Sequence, residues 1–331
     1  MSTDKKIAVL GGGSWATALV KILSNNTSEL LWWMRNEETV NYIKESKRNP
    51  NYLSSVPINT EIVNVSDDLK IICEKADIIV LAVPSAFVHK TLSSLQINLS
   101  SKVFFSAVKG IIPERNQIVG EYIQNEYHVP LKQIGVITGP CHAEEVALER
   151  LSYLTIACET ASIADHMANQ LRCRYIKTTT TDDIYGTEYS AVLKNVIAVS
   201  AGIAHGLGYG DNYLSVLISN AIREINRFVD AIHPISRDIK DSAYLGDLLV
   251  TAYSKFSRNR MFGTYIGKGY SIKMAQMDMK MVAEGYYAVK CIKEMNKDLK
   301  VNMPITDAVY AIIYEKMSPR IEFKLLSEVL D

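Results

Sequence analysis

A short apolar strand that runs into three glycines and then a helix restricts this chain more than any other feature. Ile7-Ala8-Val9-Leu10 reads as a buried strand, Gly11-Gly12-Gly13 as a turn, and the apolar run from Ser14 as a helix. The spacing places Gly11 and Gly13 in the first two glycine positions of the dinucleotide-binding fingerprint and Ala16 in the third, where Gly or Ala fits. Gly11 permits the tight turn, Gly13 lets backbone approach a pyrophosphate, and Ala16 lets the helix pack on its strand. Free N–H groups and the positive end of the helix then face the phosphates. The plainer alternative is a tight strand-to-helix turn with no ligand.

Strand and helix patterns alternate from there to about residue 180. Strands are expected at 30–33, 61–65, 77–85, 103–107, 134–138, 154–158 and 175–178, with helices at 67–75, 162–171 and from Ala143 through Glu149. The second strand leads into Met34-Arg35-Asn36, where an acidic residue commonly holds the ribose of NAD and an Arg accommodates the 2′-phosphate of NADP. The tilt is toward NADP, moderated by Glu37 and Glu38. The continuous apolar run 77–85 suits the middle of a parallel sheet. Its end, with Pro84, falls at the ligand-binding edge of an open α/β sheet. Lys109-Gly110 and Gly139-Pro140-Cys141-His142-Ala143 close the next two strands at the same edge.

Past Thr187 the periodicity turns helical: 189–205, 212–231, 244–252, 286–296 and 305–314. We therefore expect an α/β fold in two domains, a Rossmann-type parallel sheet over 1–185 and an all-helical substrate domain over 186–331. A length of 331 residues with 48% apolar content supports two cores. Lys plus Arg and Asp plus Glu stand at 36 each, so nothing favours nucleic acid or an anionic membrane as partner. Five scattered cysteines without a Cys-x-x-Cys pair read as reduced thiols. No leader pattern and no uninterrupted membrane-length apolar run is expected, which points to a cytoplasmic protein without an integral membrane segment. Neither metal-ligand spacing nor a nucleophile elbow is present in the pattern of residues.

The helical half carries the candidate chemistry. Lys194 and Asn195 interrupt an apolar helix, where a buried lysine is rare unless paired or functional. Carbonyl reduction needs a proton donor, and a lysine desolvated near a second cation has its pKa lowered toward neutrality for that task. Lys194 is the expected donor; a stem that snorkels to water is the alternative. Asp247, between Gly246 and Leu248, is read as its partner or as a helix cap. Ser257-Arg258-Asn259-Arg260 groups a hydroxyl, a guanidinium and an amide into a phosphate cradle, or else a solvated turn.

These runs together resemble the bacterial NAD(P)-dependent sn-glycerol-3-phosphate dehydrogenase family. The match includes Gly11-Gly12-Gly13-Ser14-Trp15-Ala16, Ala82-Val83-Pro84-Ser85, Ala107-Val108-Lys109-Gly110, Leu193-Lys194-Asn195-Val196, Leu245-Gly246-Asp247-Leu248, Ser257-Arg258-Asn259-Arg260 and Val282-Ala283-Glu284-Gly285. The resemblance implies reversible reduction of dihydroxyacetone phosphate to sn-glycerol 3-phosphate for phospholipid synthesis, with NADP or NAD as cofactor. By position it makes Ser14, Trp15, Arg35, Ala143, Val282 and Glu284 cofactor contacts, and Lys109 and Arg258 contacts to both cofactor and substrate. Gly139, Cys141, Asp247, Ser257 and Asn259 become substrate contacts, Lys194 the proton-transferring residue, and Lys109 and Asp247 its catalytic companions. It also implies a helical domain similar to that of 6-phosphogluconate dehydrogenase and leaves room for a homodimer. Three positions depart from the family: Cys141 stands for the usual Ser or Thr, Ala16 for the third glycine and His205 for a usual Asp. A related hydroxyacid or 6-phosphogluconate-type dehydrogenase, or a dinucleotide sensor without catalysis, remains the competing reading.

Overall fold

The computed structural model describes residues 5–279 and 283–331. Two compact units emerge, one built from residues up to Val108 with Val119–Ile184, the other from Lys109–Ile118 with Tyr185–Asp331.

The first unit is an eight-stranded sheet flanked by helices. Its strands are β1 (Ile7–Leu10), β2 (Leu30–Trp33), β3 (Val63–Ser66), β4 (Ile78–Leu81), β5 (Val103–Ser106), β8 (Ile134–Thr138), β9 (Ser152–Cys158) and β10 (Ile176–Thr181). A separate hairpin, β6 (Ile111–Ile112) and β7 (Gln117–Ile118), belongs to the second unit. The sheet order is β10-β9-β8-β5-β4-β1-β2-β3. Every neighbouring pair is parallel except β8 and β9. All four residues of β1, β2, β4 and β5 are buried, which is why β1, β2 and β4 read as unbroken apolar runs.

The chain reverses its direction of winding between β1 and β4, the crevice where open α/β sheets hold ligands. Gly11 leaves β1 there with φ +134°, and a Cβ on it would lie 2.5 Å from the Ala82 carbonyl oxygen beyond β4. That close approach and the left-handed backbone both require glycine. Helices of this unit are α1 (Ser14–Leu23), α2 (Glu37–Ser46), α3 (Leu69–Lys75), α4 (Ser85–Leu92), α5 (Val119–Tyr127), α6 (Ala143–Ala147) and α7 (Ala161–Leu171). The run 77–85 is strand only to Leu81, because Pro84, at φ −55°, caps α4. β3 starts two residues later than its pattern suggests, since Asn59 winds a turn that takes the N–H groups of Glu61, Ile62 and Val63.

The second unit is helical: α8 (Ile184–Leu207), α9 (Asp211–Ile232), α10 (Asp247–Tyr253), α11 (Arg258–Gly267), α12 (Ile272–Asp278), α13 (Glu284–Leu299), α14 (Pro304–Tyr314) and α15 (Pro319–Ser327). The hairpin joins it through Ile111 and Ile118, both fully buried in its core, although the sequence reading leaves 109–118 inside the first domain. α8 is long and apolar enough to cross a membrane by length and composition, yet its apolar side chains form the centre of this core. α8 and α11 touch backbone to backbone: a Cβ on Gly202 would collide with the Arg260 carbonyl, and one on Gly263 with the Val199 carbonyl. The glycines that allow this contact also weaken the helical signal of α11, which the sequence pattern does not announce. Glu224 on α9, 1% exposed, caps α14, accepting N–H groups of Ile305 at 2.9 Å and Thr306 at 3.0 Å and the Thr306 hydroxyl.

Candidate functional site

Within the first unit, the glycine turn ends in Gly13 as N-cap of α1, so the first N–H groups of that helix have no partner inside it. A Cβ on Gly13 would meet nothing within 4 Å. This open space, beside N–H groups of a helix start, fits a dinucleotide pyrophosphate. Ser14 and Trp15 are half-buried in the first turn, Arg35 is exposed directly after β2, and Pro84 is exposed after β4. Arg35 sits just before α2, whose N-cap Asn36 accepts from the Thr39 N–H at 2.7 Å. A helix start beside a guanidinium is a sound place for a 2′-phosphate.

Gly139 follows β8 at φ +115°, and a Cβ there would come within 2.8 Å of the Tyr153 carbonyl, so the bend after β8 also needs glycine. Cys141 and Ala143 are buried at 7% exposure each, at the start of α6.

The charged centre lies wholly within the second unit. Lys194 projects from the middle of α8, Lys109 precedes β6, and Asp247 opens α10 directly after a π-helical turn, Ser242–Gly246. Such turns recur at functional sites. Both lysines bind one carboxylate: the Lys109 ammonium lies 3.3 Å from Asp247 Oδ2, and the Lys194 amine forms a short contact to Oδ1. Side-chain exposures are 4% for Lys194, 2% for Asp247 and 20% for Lys109, which excludes a lysine snorkelling to water.

Burial governs the protonation of this trio. Burial drives the Lys194 pKa down, Asp247 raises it, Lys109 lowers it again, and the result is about 7 against an ordinary 10.5. Burial pushes the Asp247 carboxyl up, but the charges and hydrogen bonds of Lys109 and Lys194 outweigh it and hold the group below the usual carboxylate range. Asp247 therefore stays ionised near neutrality while Lys194 gains and loses its proton there. An amine that exchanges a proton near neutral pH suits general acid-base work.

An asparagine relay braces the centre. Asn195 Nδ2 donates to the Lys109 carbonyl at 2.6 Å, Asn259 Nδ2 donates to Asn195 Oδ1 at 2.8 Å, and the Gly285 N–H donates to Asn259 Oδ1 at 2.9 Å. Neighbouring Ser257 caps α11, its hydroxyl accepting from the Arg260 N–H at 3.3 Å. Ser257–Arg258–Asn259 is thus a helix start, not a solvated turn, with the half-buried Arg258 beside first-turn N–H groups suited to an anion. Glu284 opens α13 next to Gly285, and Val282 lies outside the described residues. The structure assembles Lys109, Lys194, Asp247 and Asn259 into one network. Asn195 is the member whose role the sequence reading leaves blank; its only signal is a polar residue in an apolar helix.

Comparison with known proteins adds an independent line. Residues 6–164 match the family model described as NAD-dependent glycerol-3-phosphate dehydrogenase N-terminus, and residues 183–324 match its C-terminus counterpart. A glycerol-3-phosphate dehydrogenase [NAD(P)+] of Exiguobacterium sp. is 36% identical over 323 residues, covering 97% of this chain and 94% of the relative. One of the same description from Listeria monocytogenes is 35% identical over 326 residues, covering 98% and 96%. The crystal structure of glycerol-3-phosphate dehydrogenase from Coxiella burnetii superimposes with a TM-score of 0.90 at 28% identity, covering 98% of this chain and 99% of that one.

Proposed function

Since this chain belongs to the NAD-dependent glycerol-3-phosphate dehydrogenase family, we propose that it interconverts dihydroxyacetone phosphate and sn-glycerol 3-phosphate with NADP or NAD. The observation that carries this reading is the buried Lys194 amine held against Asp247 beside Lys109. NADP or NAD, when bound, would supply the hydride or take it up in the reverse direction. Lys194, as ammonium, gives its proton to the oxygen developing negative charge at C2 when the ketone is reduced. In the reverse direction the neutral amine removes the proton from the C2 hydroxyl. Because its pKa is about 7, both forms are populated near neutrality, which suits a reversible enzyme.

Asp247 orients the amine and opposes its loss of charge, while Lys109 balances that carboxylate and adds positive potential for the substrate oxygens. Arg258, with the first turn of α11 and Ser257 and Asn259, takes the substrate phosphate, its planar fork matching two phosphate oxygens. Cys141 stands where a hydroxyl residue is usual in the family, so any substrate contact it makes is a weaker thiol one. Within the first unit, Gly11, Gly13, Ser14, Trp15, Arg35, Pro84 and Ala143 serve the cofactor. The product is the backbone precursor of phospholipids. We place this reaction in the cytoplasm.

Spectrophotometric consumption of NADH and NADPH on adding dihydroxyacetone phosphate tests the reading. We expect turnover with both cofactors and none with 6-phosphogluconate or a 3-hydroxyacid in the oxidative direction. Cofactor binding without turnover of the ketone phosphate would reduce the protein to a sensor.

A further inference from the structure

Three consecutive carbonyl groups of the glycine turn are each tied to a side chain from elsewhere in the first unit. The Trp32 indole N–H donates to the Gly11 carbonyl at 2.7 Å. Asn49 Nδ2 donates to the Gly12 carbonyl at 3.1 Å and to the Thr17 hydroxyl at 2.9 Å. The Thr17 hydroxyl donates in turn to the Gly13 carbonyl at 3.0 Å, beside the Thr17 N–H on the same oxygen at 2.9 Å. The other end of the Asn49 amide is also committed, its Oδ1 accepting the N–H groups of Asn51 at 3.0 Å and Tyr52 at 3.2 Å. Trp32, Asn49 and Thr17 are all fully buried.

Peptide planarity turns these bonds into a statement about the opposite face. In a trans peptide the carbonyl of one residue and the N–H of the next point in opposite directions. Among the described residues there are no cis peptides. Fixing the carbonyls of Gly11, Gly12 and Gly13 inward therefore aims the N–H groups of Gly12, Gly13 and Ser14 outward. The N–H groups of Gly12 and Gly13 donate to no protein group among the described residues, and that of Ser14 has no acceptor within its helix. Glycines left to themselves sample many peptide orientations, and freezing them on binding opposes affinity.

We propose that Trp32, Asn49 and Thr17 are positioning residues for the dinucleotide: a buried clamp that pre-orients three consecutive peptide planes so that their N–H groups converge on its pyrophosphate. The proposal rests on the reading that the first unit holds NADP or NAD. Asn49 is the keystone, because one amide fixes the Gly12 peptide, sets the Thr17 hydroxyl and secures the loop after it.

Asn49→Ala, Trp32→Phe and Thr17→Val each remove donors of the clamp; Trp32→Phe keeps an aromatic ring and Thr17→Val keeps the side-chain shape. Thr17→Ser, which retains the hydroxyl, is the conservative control. Binding of NADPH and of adenosine 2′-phosphate, which has no pyrophosphate, is measured by calorimetry on the full chain, and turnover is measured with dihydroxyacetone phosphate. A lost net hydrogen bond is expected to weaken NADPH about 2- to 10-fold for Trp32→Phe and Thr17→Val, and about 10-fold or more for Asn49→Ala. Adenosine 2′-phosphate affinity, kcat at saturating NADPH, the KM for dihydroxyacetone phosphate, and all properties of Thr17→Ser should stay within about 1.5-fold of wild type, a margin under one hydrogen bond. Wild-type NADPH affinity in the folded Trp32→Phe and Thr17→Val proteins would overturn the clamp, as would equal weakening of both ligands, which would mean general loosening. A wild-type protein that binds no dinucleotide would instead overturn the reading beneath it.

Discussion

Replacing Asp247 with Asn keeps the shape of the side chain and deletes the charge shared by Lys109 and Lys194. In the wild type, burial and Lys109 lower the Lys194 pKa and Asp247 is the group that raises it, leaving about 7. An opposite charge in direct contact is worth about 1–3 pH units, so the variant amine should titrate between about 4 and 6. At pH 7 its protonated fraction then drops from about one half to between about a tenth and a thousandth. Reduction of dihydroxyacetone phosphate, which uses the protonated form, should slow about 5- to 500-fold at pH 7 and recover in part as the pH is lowered. The sign is fixed by the chemistry: reduction falls as pH rises through the Lys194 pKa, and oxidation of glycerol 3-phosphate falls as pH drops through it. The assay is kcat/KM against pH in both directions, with thermal unfolding as a control for folding. A variant whose rate falls uniformly, with the pH midpoint unmoved, would refute the view that Asp247 sets the proton affinity of Lys194.

Gly263→Ala places a methyl group into the Val199 carbonyl of α8. We expect a loss of about 1–3 kcal/mol in stability from overpacking and a raised KM for dihydroxyacetone phosphate, measured by denaturant unfolding and steady-state kinetics. In Glu224→Gln one oxygen acceptor at the start of α14 becomes an amide donor, at a cost of about 1–3 kcal/mol read as a lower Tm, with turnover unchanged. Burial raises the Glu224 pKa from 4.5 to about 7 against its hydrogen bonds, so the folded state holds this proton more tightly than the unfolded one. The stability it contributes declines as pH rises from 4.5 through about 7, and the gap to the Gln variant should narrow in that direction. Arg35→Ala should raise the KM for NADPH about 10-fold or more while leaving that for NADH nearly unchanged, the value of one charge-assisted pair to a 2′-phosphate.

Much of this architecture was legible because local pattern and tertiary role coincide. β1 and β4 are buried on both sides and so appear as unbroken apolar runs, and the turn after β1 demands Gly11 whatever the rest of the chain does. Lys194 stood out because a charge inside an apolar helix has few innocent explanations. What stayed hidden depends on partners distant in sequence. Nothing around Lys109 says that Ile111 and Ile118 bury themselves with the helical unit. Asn49 looks like an ordinary loop asparagine and Trp32 like an ordinary core tryptophan until the carbonyls of Gly11 and Gly12 are seen beside them. α11 is missing from the helical pattern because Gly263 and Gly267 lower its helix propensity, and the close contact with α8 that explains them is tertiary.

Turnover by Lys194→Met tests the central claim most directly, because the substitution keeps the volume, removes the proton and leaves Asp247 still paired with Lys109 at 3.3 Å. The account predicts that kcat for dihydroxyacetone phosphate reduction falls by about 10²–10⁴ while the Kd for NADPH stays within about twofold. A folded Lys194→Met protein that turns over at the wild-type rate would contradict it.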